Sequence, residues 1–437
     1  MHFIPTRLEP RLRRCYSVLV KGFGKLGSAF AAGPGATVGG MPAATFAQKL
    51  WRFLRNPRVK ASDLIEPMHQ AVRQEVVDHP GGVLLAVHDW STLSFGGHDS
   101  KKDRATLTHA NDVGYDLATV LIVRGSDGVP IAPVAVSLTA ADVVHSTHDV
   151  APSIDTCHVD QVLPNMQYTR DLNLGATVVH VIDRELDSVG HWRQWSADGH
   201  LAVVRADSRI VLHHGEKTTL EAIADELRST DSLKYARDVR YHGRKAQQFV
   251  AETEVVLYRP AKRRIENGKN IDVPGPPLTL RLVVSEVRHF DGRVLARWLL
   301  LTNVPVGLAD AAMIALWYYF RWQIETMHKL IKSAGWQLES WLQRNGHRLL
   351  IKLLLAFGAC ASIWALEGKL DAGSETFKKL LVQLSGRQTK RIKPITTSAM
   401  LAGLWVLQAA VGLLARHGHE QLNAMLQHYL PLFAVLI

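Results

Sequence analysis

The sequence predicts an α/β fold with a β-rich insertion, flanked by helical N-terminal and C-terminal regions. Two short apolar runs, VLLAVHD (Val83 to Asp89) and VVHVID (Val178 to Asp183), each end in a carboxylate, as buried central strands of an open sheet do. Residues 207 to 297 alternate β-like segments, and both ends of the chain carry helical, apolar patterning.

From Arg7 to Lys60, eleven Lys or Arg stand against the single acid Glu9. A basic amphipathic segment there is separated by GPGATVGG (Gly33 to Gly40) from a second helix around Phe46 to Leu54, and Ser62-Asp63 opens another. Residues 1 to 78 therefore read as a helical N-terminal region, and the basic excess makes it the place to look for DNA. After the first apolar run, Leu117 to Val123 and Ile131 to Val136 flank the turn residues Ser126-Asp127-Gly128, which predicts a β-hairpin. The second run is followed by the helix-like RELDSVGHWRQW and by a further strand, LAVVRA (Leu201 to Ala206). Within the insertion, FVAETEVVLY and LTLRLVVSEV read as strands on either side of the basic loop Arg259 to Lys269. The strand WLLLT (Trp298 to Thr302) leads into a long helix from about Ala309 to Lys332, and the remainder is helical and apolar. The expected division is 1–78, a central domain 79–345 holding the insertion 207–297, and a C-terminal region 346–437.

A chain of 437 residues, 47% hydrophobic and 21% charged, has the composition of a globular protein rather than a disordered one. Its formal charge of +11 points to a polyanionic partner, because Lys and Arg gain affinity from phosphate by releasing condensed counterions. Cys15, Cys157 and Cys360 lack paired spacing, which supports neither a disulfide framework nor a zinc site and suits a reducing cytoplasm. Lys21 and Lys25 interrupt the stretch that a signal peptide keeps apolar, so export is not expected. The apolar segment Leu349 to Leu366 contains Lys352 and Ser362 and reads as a buried core helix, not a membrane span.

The richest stretch is WYYFRWQIETMHKLIK, Trp317 to Lys332. At about 100° per residue, Tyr318, Arg321, Glu325 and Lys332 fall within roughly 60° of one another, opposite Leu316, Phe320, Ile324, Met327 and Ile331. Such a row is ordinarily a solvated face stabilised by an Arg321 to Glu325 pair at i, i+4. It also suits phosphodiester chemistry, in which a carboxylate holds metal, cations hold phosphate and a ring stacks on a base. Asp89 and Asp183 close their strands where catalytic groups of open sheets lie, although Asp183 would equally serve as an N-cap for the segment beginning at Arg184. Oxygen ligands without clustered His or Cys favour Mg²⁺ or Mn²⁺. His88, His98, His145, His148 and His158 have no ligand spacing and read as ordinary surface or core residues.

Tyr318, Arg321, Glu325 and Lys332, with two, three and six residues between them, resemble the Tyr-Arg-Glu-Lys signature of the IS-four-type DDE transposases, and DRELD (Asp183 to Asp187) resembles the family's Asp-Arg-Glu-Ala-Asp. WRFLRNPRV (Trp51 to Val59), DWSTLSF after Asp89 and WLLLTNVP extend the similarity from about residue 43 to 345. The resemblance implies a ribonuclease-H-like catalytic domain with Asp89, Asp183 and Glu325 holding two Mg²⁺ or Mn²⁺ ions. It implies cutting of double-stranded DNA at transposon ends and joining of the 3′-hydroxyls to target DNA, with a homodimer assembled on DNA, partly through the C-terminal region. By the same match Tyr318, Arg321 and Lys332 hold end phosphates, and Trp298 and Trp322 accommodate a flipped base. A nuclease or resolvase of the same fold, and a catalytically weak end-binding inhibitor of transposition, are the alternatives.

Overall fold

In the computed structural model, which describes residues 4–25, 43–107, 109, 111–154, 159–264, 270–334, 336–386 and 395–429, four helices precede the first strand. GPGATVGG, Cys157, His158 and residues 265–269 of the basic loop lie outside the described residues. The helices are α1 (Pro10–Lys25), α2 (Ala43–Leu54), the single turn α3 (Ala61–Leu64) and α4 (Glu66–Asp78). Helices α1 and α2 meet at Gly22, where an added Cβ would lie 2.3 Å from the Phe46 ring, so only glycine permits that approach.

Eleven strands and three helices alternate next: β1 (Val83–Ser94), β2 (Ala105–Thr106), β3 (Val113–Arg124), β4 (Pro130–Thr139), β5 (Val144–Ser146), α5 (Val162–Asp171), β6 (Thr177–Ile182), α6 (Val189–Ala197), β7 (Leu201–Arg205), β8 (Ile210–His213), β9 (Glu216–Thr219), α7 (Leu220–Ser229), β10 (Lys234–Tyr241) and β11 (Arg244–Leu257). A small hairpin, β12 (Ala261–Arg264) and β13 (Asn270–Val273), stands apart in the basic loop. Strands β14 (Leu278–Arg288) and β15 (Val294–Thr302) return to the main sheet. The hairpin expected around Ser126-Asp127-Gly128 is β3–β4, and Gly128 takes φ 77°, with Phe320 packed where a side chain would stand.

The fold is mixed α/β. One large sheet runs in the order β5-β4-β3-β1-β6-β7-β15-β14-β11-β8-β9, with β2 on β3 and β10 on β11. Strands β1, β6 and β7 pair in parallel, whereas β4-β3-β1 on one side and β7-β15-β14 on the other are antiparallel between neighbours. The β-rich segment is thus hydrogen-bonded into the central sheet, through Leu301 opposite Val204. Alternation along β15 sends Trp298 and Leu300 to one core and Leu299 and Leu301 to the other. The first core also takes in α1, α4 and the C-terminal helices, so both helical ends share it with the sheet.

The helix expected over Ala309 to Lys332 is divided. Helix α8 (Ala311–Phe320) passes through Arg321 into α9 (Trp322–Lys329), and a π turn follows at Leu330–Ala334. At the junction, i to i+3 bonds from Arg321 to Tyr318 and from Ile324 to Arg321 tighten the backbone. Helices α10 (Gly346–Glu367), α11 (Ala372–Leu384) and α12 (Thr397–Tyr429), bent at Gly418, complete the chain. Two described helices are long and apolar enough to cross a membrane: α10, whose most apolar window is 78% buried within the protein, and α12, whose window is 22% buried.

Candidate active site

Asp183 follows the end of β6 as expected, but Asp89 does not close its strand: β1 continues to Ser94, paired with β3, so Asp89 lies mid-strand. The three carboxylates gather beside α9 around one guanidinium. Arg321 Nη2 lies 2.5 Å from Glu325 Oε1 and 3.6 Å from Asp183 Oδ2, and its Nη1 lies 3.9 Å from Asp89 Oδ2. Its side chain is only 8% exposed. Burial alone would lower the Arg321 pKa, but Tyr318, Asp183, Glu325 and Asp89 together hold its proton and raise it.

The two aspartates are held differently. Burial pushes Asp89 up to about 6, reinforced by the charges of Glu325 and Asp183 and opposed by Arg321 and the Trp90 N–H. Burial acts upward on Asp183 too, yet Arg321, the Arg184 N–H, the Tyr318 hydroxyl and Arg205 hold it below the usual carboxylate range. Tyr318 Oη donates to Asp183 Oδ1 at 3.1 Å, and the Arg184 N–H donates to the same oxygen at 2.7 Å. Asp183 therefore does cap the short 3₁₀ turn Arg184–Leu186, as its sequence position allowed, while its other oxygen faces Arg321. Asp187, the last residue of DRELD, is a buried tie: it pairs with Arg209 at 2.5 Å and accepts from the Asp207 N–H at 2.9 Å.

The remaining residues of the signature row are already engaged within the chain. Lys332 Nζ donates to the Thr92 carbonyl at 2.6 Å and lies 3.4 Å from Glu339, tying the π turn to β1. Tyr318, 2% exposed, packs its ring 5.9 Å from that of Trp298, which in turn lies 6.3 Å from Tyr241. Trp298 is 6% exposed and belongs to the first core, whereas Trp322, 41% exposed, faces outward. Sequence reasoning missed three neighbours. His328 Nδ1 lies 3.7 Å from Asp89, Arg205 Nη1 lies 3.9 Å from Asp183, and Glu339 accepts from the Ser94 N–H at 3.0 Å. The signal for His328 was its place three residues beyond Glu325, which puts both on one helix face. Burial drives His328 down to about 4, so it stands neutral beside Asp89 at neutral pH.

Carboxylate oxygens are the donor type that hard divalent cations take. Three carboxylates share one fixed guanidinium. Among the described residues no three His, Cys, Asp or Glu side chains are drawn together closely enough to hold a metal; the carboxylates stand around Arg321 instead. A basic surface lies in the N-terminal region, where Arg11, Arg14, Lys49, Arg52 and Arg58 line an open cavity between α1 and α2. No protein-family model and no curated protein matches the chain.

Proposed function

We propose that the chain is a DNA transposase of the IS-four type, cutting at transposon ends and joining the 3′-hydroxyls to target DNA. The observation that carries this is the convergence of Asp89, Asp183 and Glu325, roughly 90 and 140 residues apart in sequence, on one buried arginine of the same Tyr-Arg-Glu-Lys row. A ribonuclease-H-like catalytic domain is supported by the order β4-β3-β1-β6-β7, antiparallel in its first three strands and parallel from β1 onward. Asp89 and Asp183 stand on neighbouring elements there, β1 and the end of β6.

In this reading Asp89, Asp183 and Glu325 hold two Mg²⁺ or Mn²⁺ ions, which when bound activate an attacking oxygen and stabilise the leaving one. The chain's own residues set the frame. Tyr318 and the Arg184 N–H fix the Asp183 carboxylate, and Arg321, within 4 Å of all three acids, holds Asp183 below the usual carboxylate range. Lys332 anchors the π turn that follows α9 to β1, on which Asp89 lies. Trp322, exposed at the rim, offers the stacking surface for a base at the cut, and the basic N-terminal cavity supplies phosphate contacts. A homodimer on paired ends belongs to the same proposal, as does action on DNA in the bacterial cytoplasm.

The test is strand cutting and joining on duplexes taken from the DNA flanking the coding region, with Mg²⁺ and a plasmid target. Asp183→Asn and Glu325→Gln are expected to abolish both steps while duplex binding stays within about threefold, since the basic surfaces that release counterions are untouched. Cutting without joining would favour the nuclease alternative. Metal-dependent cutting that survives in both variants would sink the assignment altogether.

A further inference from the structure

Three histidines scattered in sequence meet inside the protein, on the sheet face opposite Asp89. His88 lies in β1, His180 in β6 and His200 at the entrance to β7. His88 Nε2 and His180 Nδ1 are 2.9 Å apart, and the rings of His180 and His200 stand edge to face with centroids 5.6 Å apart. All three are buried, His180 to 3% and His200 to 5% exposure. His180 and His200 border a cavity of about 520 Å³, whose polar lining includes Thr169, Arg170, Asn173 and Thr177. His200 Nε2 is buried without a hydrogen-bond partner, and so is His88 Nδ1.

We propose that this cavity is a transition-metal site, in which Nε2 of His180 and Nε2 of His200 bind one divalent cation of the zinc, nickel or copper class and water fills the remaining positions. A buried imidazole nitrogen without a partner is unfavourable, and a metal ion satisfies its lone pair directly. The site takes His180 in the tautomer that carries its proton on Nδ1, toward His88 Nε2 at 2.9 Å, which leaves its lone pair on Nε2, the arrangement by which ligating histidines are oriented. Two imidazoles on one tetrahedral ion, with metal–nitrogen bonds of about 2.0–2.1 Å, place their centroids roughly 5 Å apart, close to the separation found here.

Protonation agrees with this arrangement. Burial holds His88 down at about 3 and lowers His180 and His200 as well, so the rings present lone pairs at neutral pH. Around His200, Arg170, which lines the cavity, opposes positive charge, and Asp198 and Asp171 favour it. With two protein ligands and no third His, Cys, Asp or Glu assembled among the described residues, the ion is exchangeable rather than a folding requirement. Its position gives it a role: it ties the entrances of β6 and β7 together behind the strand that carries Asp89.

The site is tested in the full chain carrying Asp89→Asn, Asp183→Asn and Glu325→Gln, so that the carboxylates do not compete and the outcome is independent of the transposase assignment. Zn²⁺ is titrated by equilibrium dialysis, and Cu²⁺ is added for electron paramagnetic resonance, in which nitrogen superhyperfine splitting reports imidazole ligands. The expected result is one bound equivalent with two coupled nitrogens. His200→Ala is expected to lose that equivalent, His88→Phe to weaken it about 10–100-fold, as loss of an orienting partner does, and His213→Ala to leave it unchanged. Folding is checked by circular dichroism without metal, and His200→Gln, which keeps a polar side chain, is read in place of His200→Ala should that variant unfold. Unchanged stoichiometry and nitrogen coupling in the folded His200 variant would overturn the proposal.

Discussion

Replacing Arg321 with methionine isolates what the guanidinium does. In the structure it is the cation nearest to all three carboxylates, at 3.9 Å from Asp89, 3.6 Å from Asp183 and 2.5 Å from Glu325. At an effective dielectric of about 20, each aspartate contact is worth roughly 4–5 kcal/mol before desolvation, and the Glu325 contact is discounted because that carboxylate is 39% exposed. Burying the guanidinium returns several of those kcal/mol, so the net loss expected for Arg321→Met is the about 3–5 kcal/mol typical of leaving a buried partner unpaired. Urea unfolding in EDTA measures it. Millimolar Mg²⁺ is then expected to restore more stability to Arg321→Met than it adds to the parent, because the variant's carboxylates lack their fixed cation. A variant as stable as the parent in EDTA would refute the neutralising role. Destabilisation that Mg²⁺ leaves untouched would refute the fit of these carboxylates to a divalent ion.

Two further outcomes follow from buried charge elsewhere. Burial and the neighbouring Lys101 hold Lys352 down at about 7, below its ordinary 10.5, so the folded chain carries fewer protons than the unfolded one between those values and stability rises with pH across that window. The contact of its ammonium with the Trp341 ring at 4.0 Å offsets part of the penalty, so Lys352→Met is expected to gain roughly 1–3 kcal/mol at pH 7 and to flatten the rise in thermal stability between pH 7 and 10; an unchanged slope would show that the lysine is solvated. Glu286, whose side chain is fully buried, accepts from Arg288 Nε and Arg297 Nε at 2.9 Å each, and Arg297 continues to Glu221 and Asp225 on α7. Glu286→Gln is expected to cost about 3–5 kcal/mol and to speed hydrogen exchange in Leu220–Ser229, whereas a loss under 1 kcal/mol would mean that the arginines find water.

The parts of the fold legible in sequence are those set by local periodicity. VLLAVHD and VVHVID became β1 and β6, the turn Ser126-Asp127-Gly128 became the β3–β4 hairpin, and FVAETEVVLY and LTLRLVVSEV became β11 and β14. Strand partners are another matter, because alternation tells which side chains share a face but not which distant strand lies alongside. The pairing of Val204 with Leu301 joins segments nearly a hundred residues apart, and it makes the β-rich segment part of the main sheet. His88, His180 and His200 were unreadable for the same reason, since their meeting depends on β1, β6 and β7 being neighbours.

The signature row shows the limit most clearly. The helical wheel placed Tyr318, Arg321 and Glu325 on one face, and all three do point toward Asp183 and Asp89. It could not give depth, which is set by whatever packs over the face. Here the Trp298 ring packs on Tyr318, Asp89 and Asp183 close on Arg321, and both are buried, while Trp322 is left 41% exposed. Burial strengthens the electrostatic contacts of the covered pair and orders the carboxylates before any partner arrives. Phosphate contact by Arg321 therefore requires that its bonds to the carboxylates be exchanged first, so engagement of DNA at this arginine is coupled to whatever balances those acids. Trp322, beside that row and exposed, makes no contact with the acids, so on the proposed reading a base stacking there would not have to displace them.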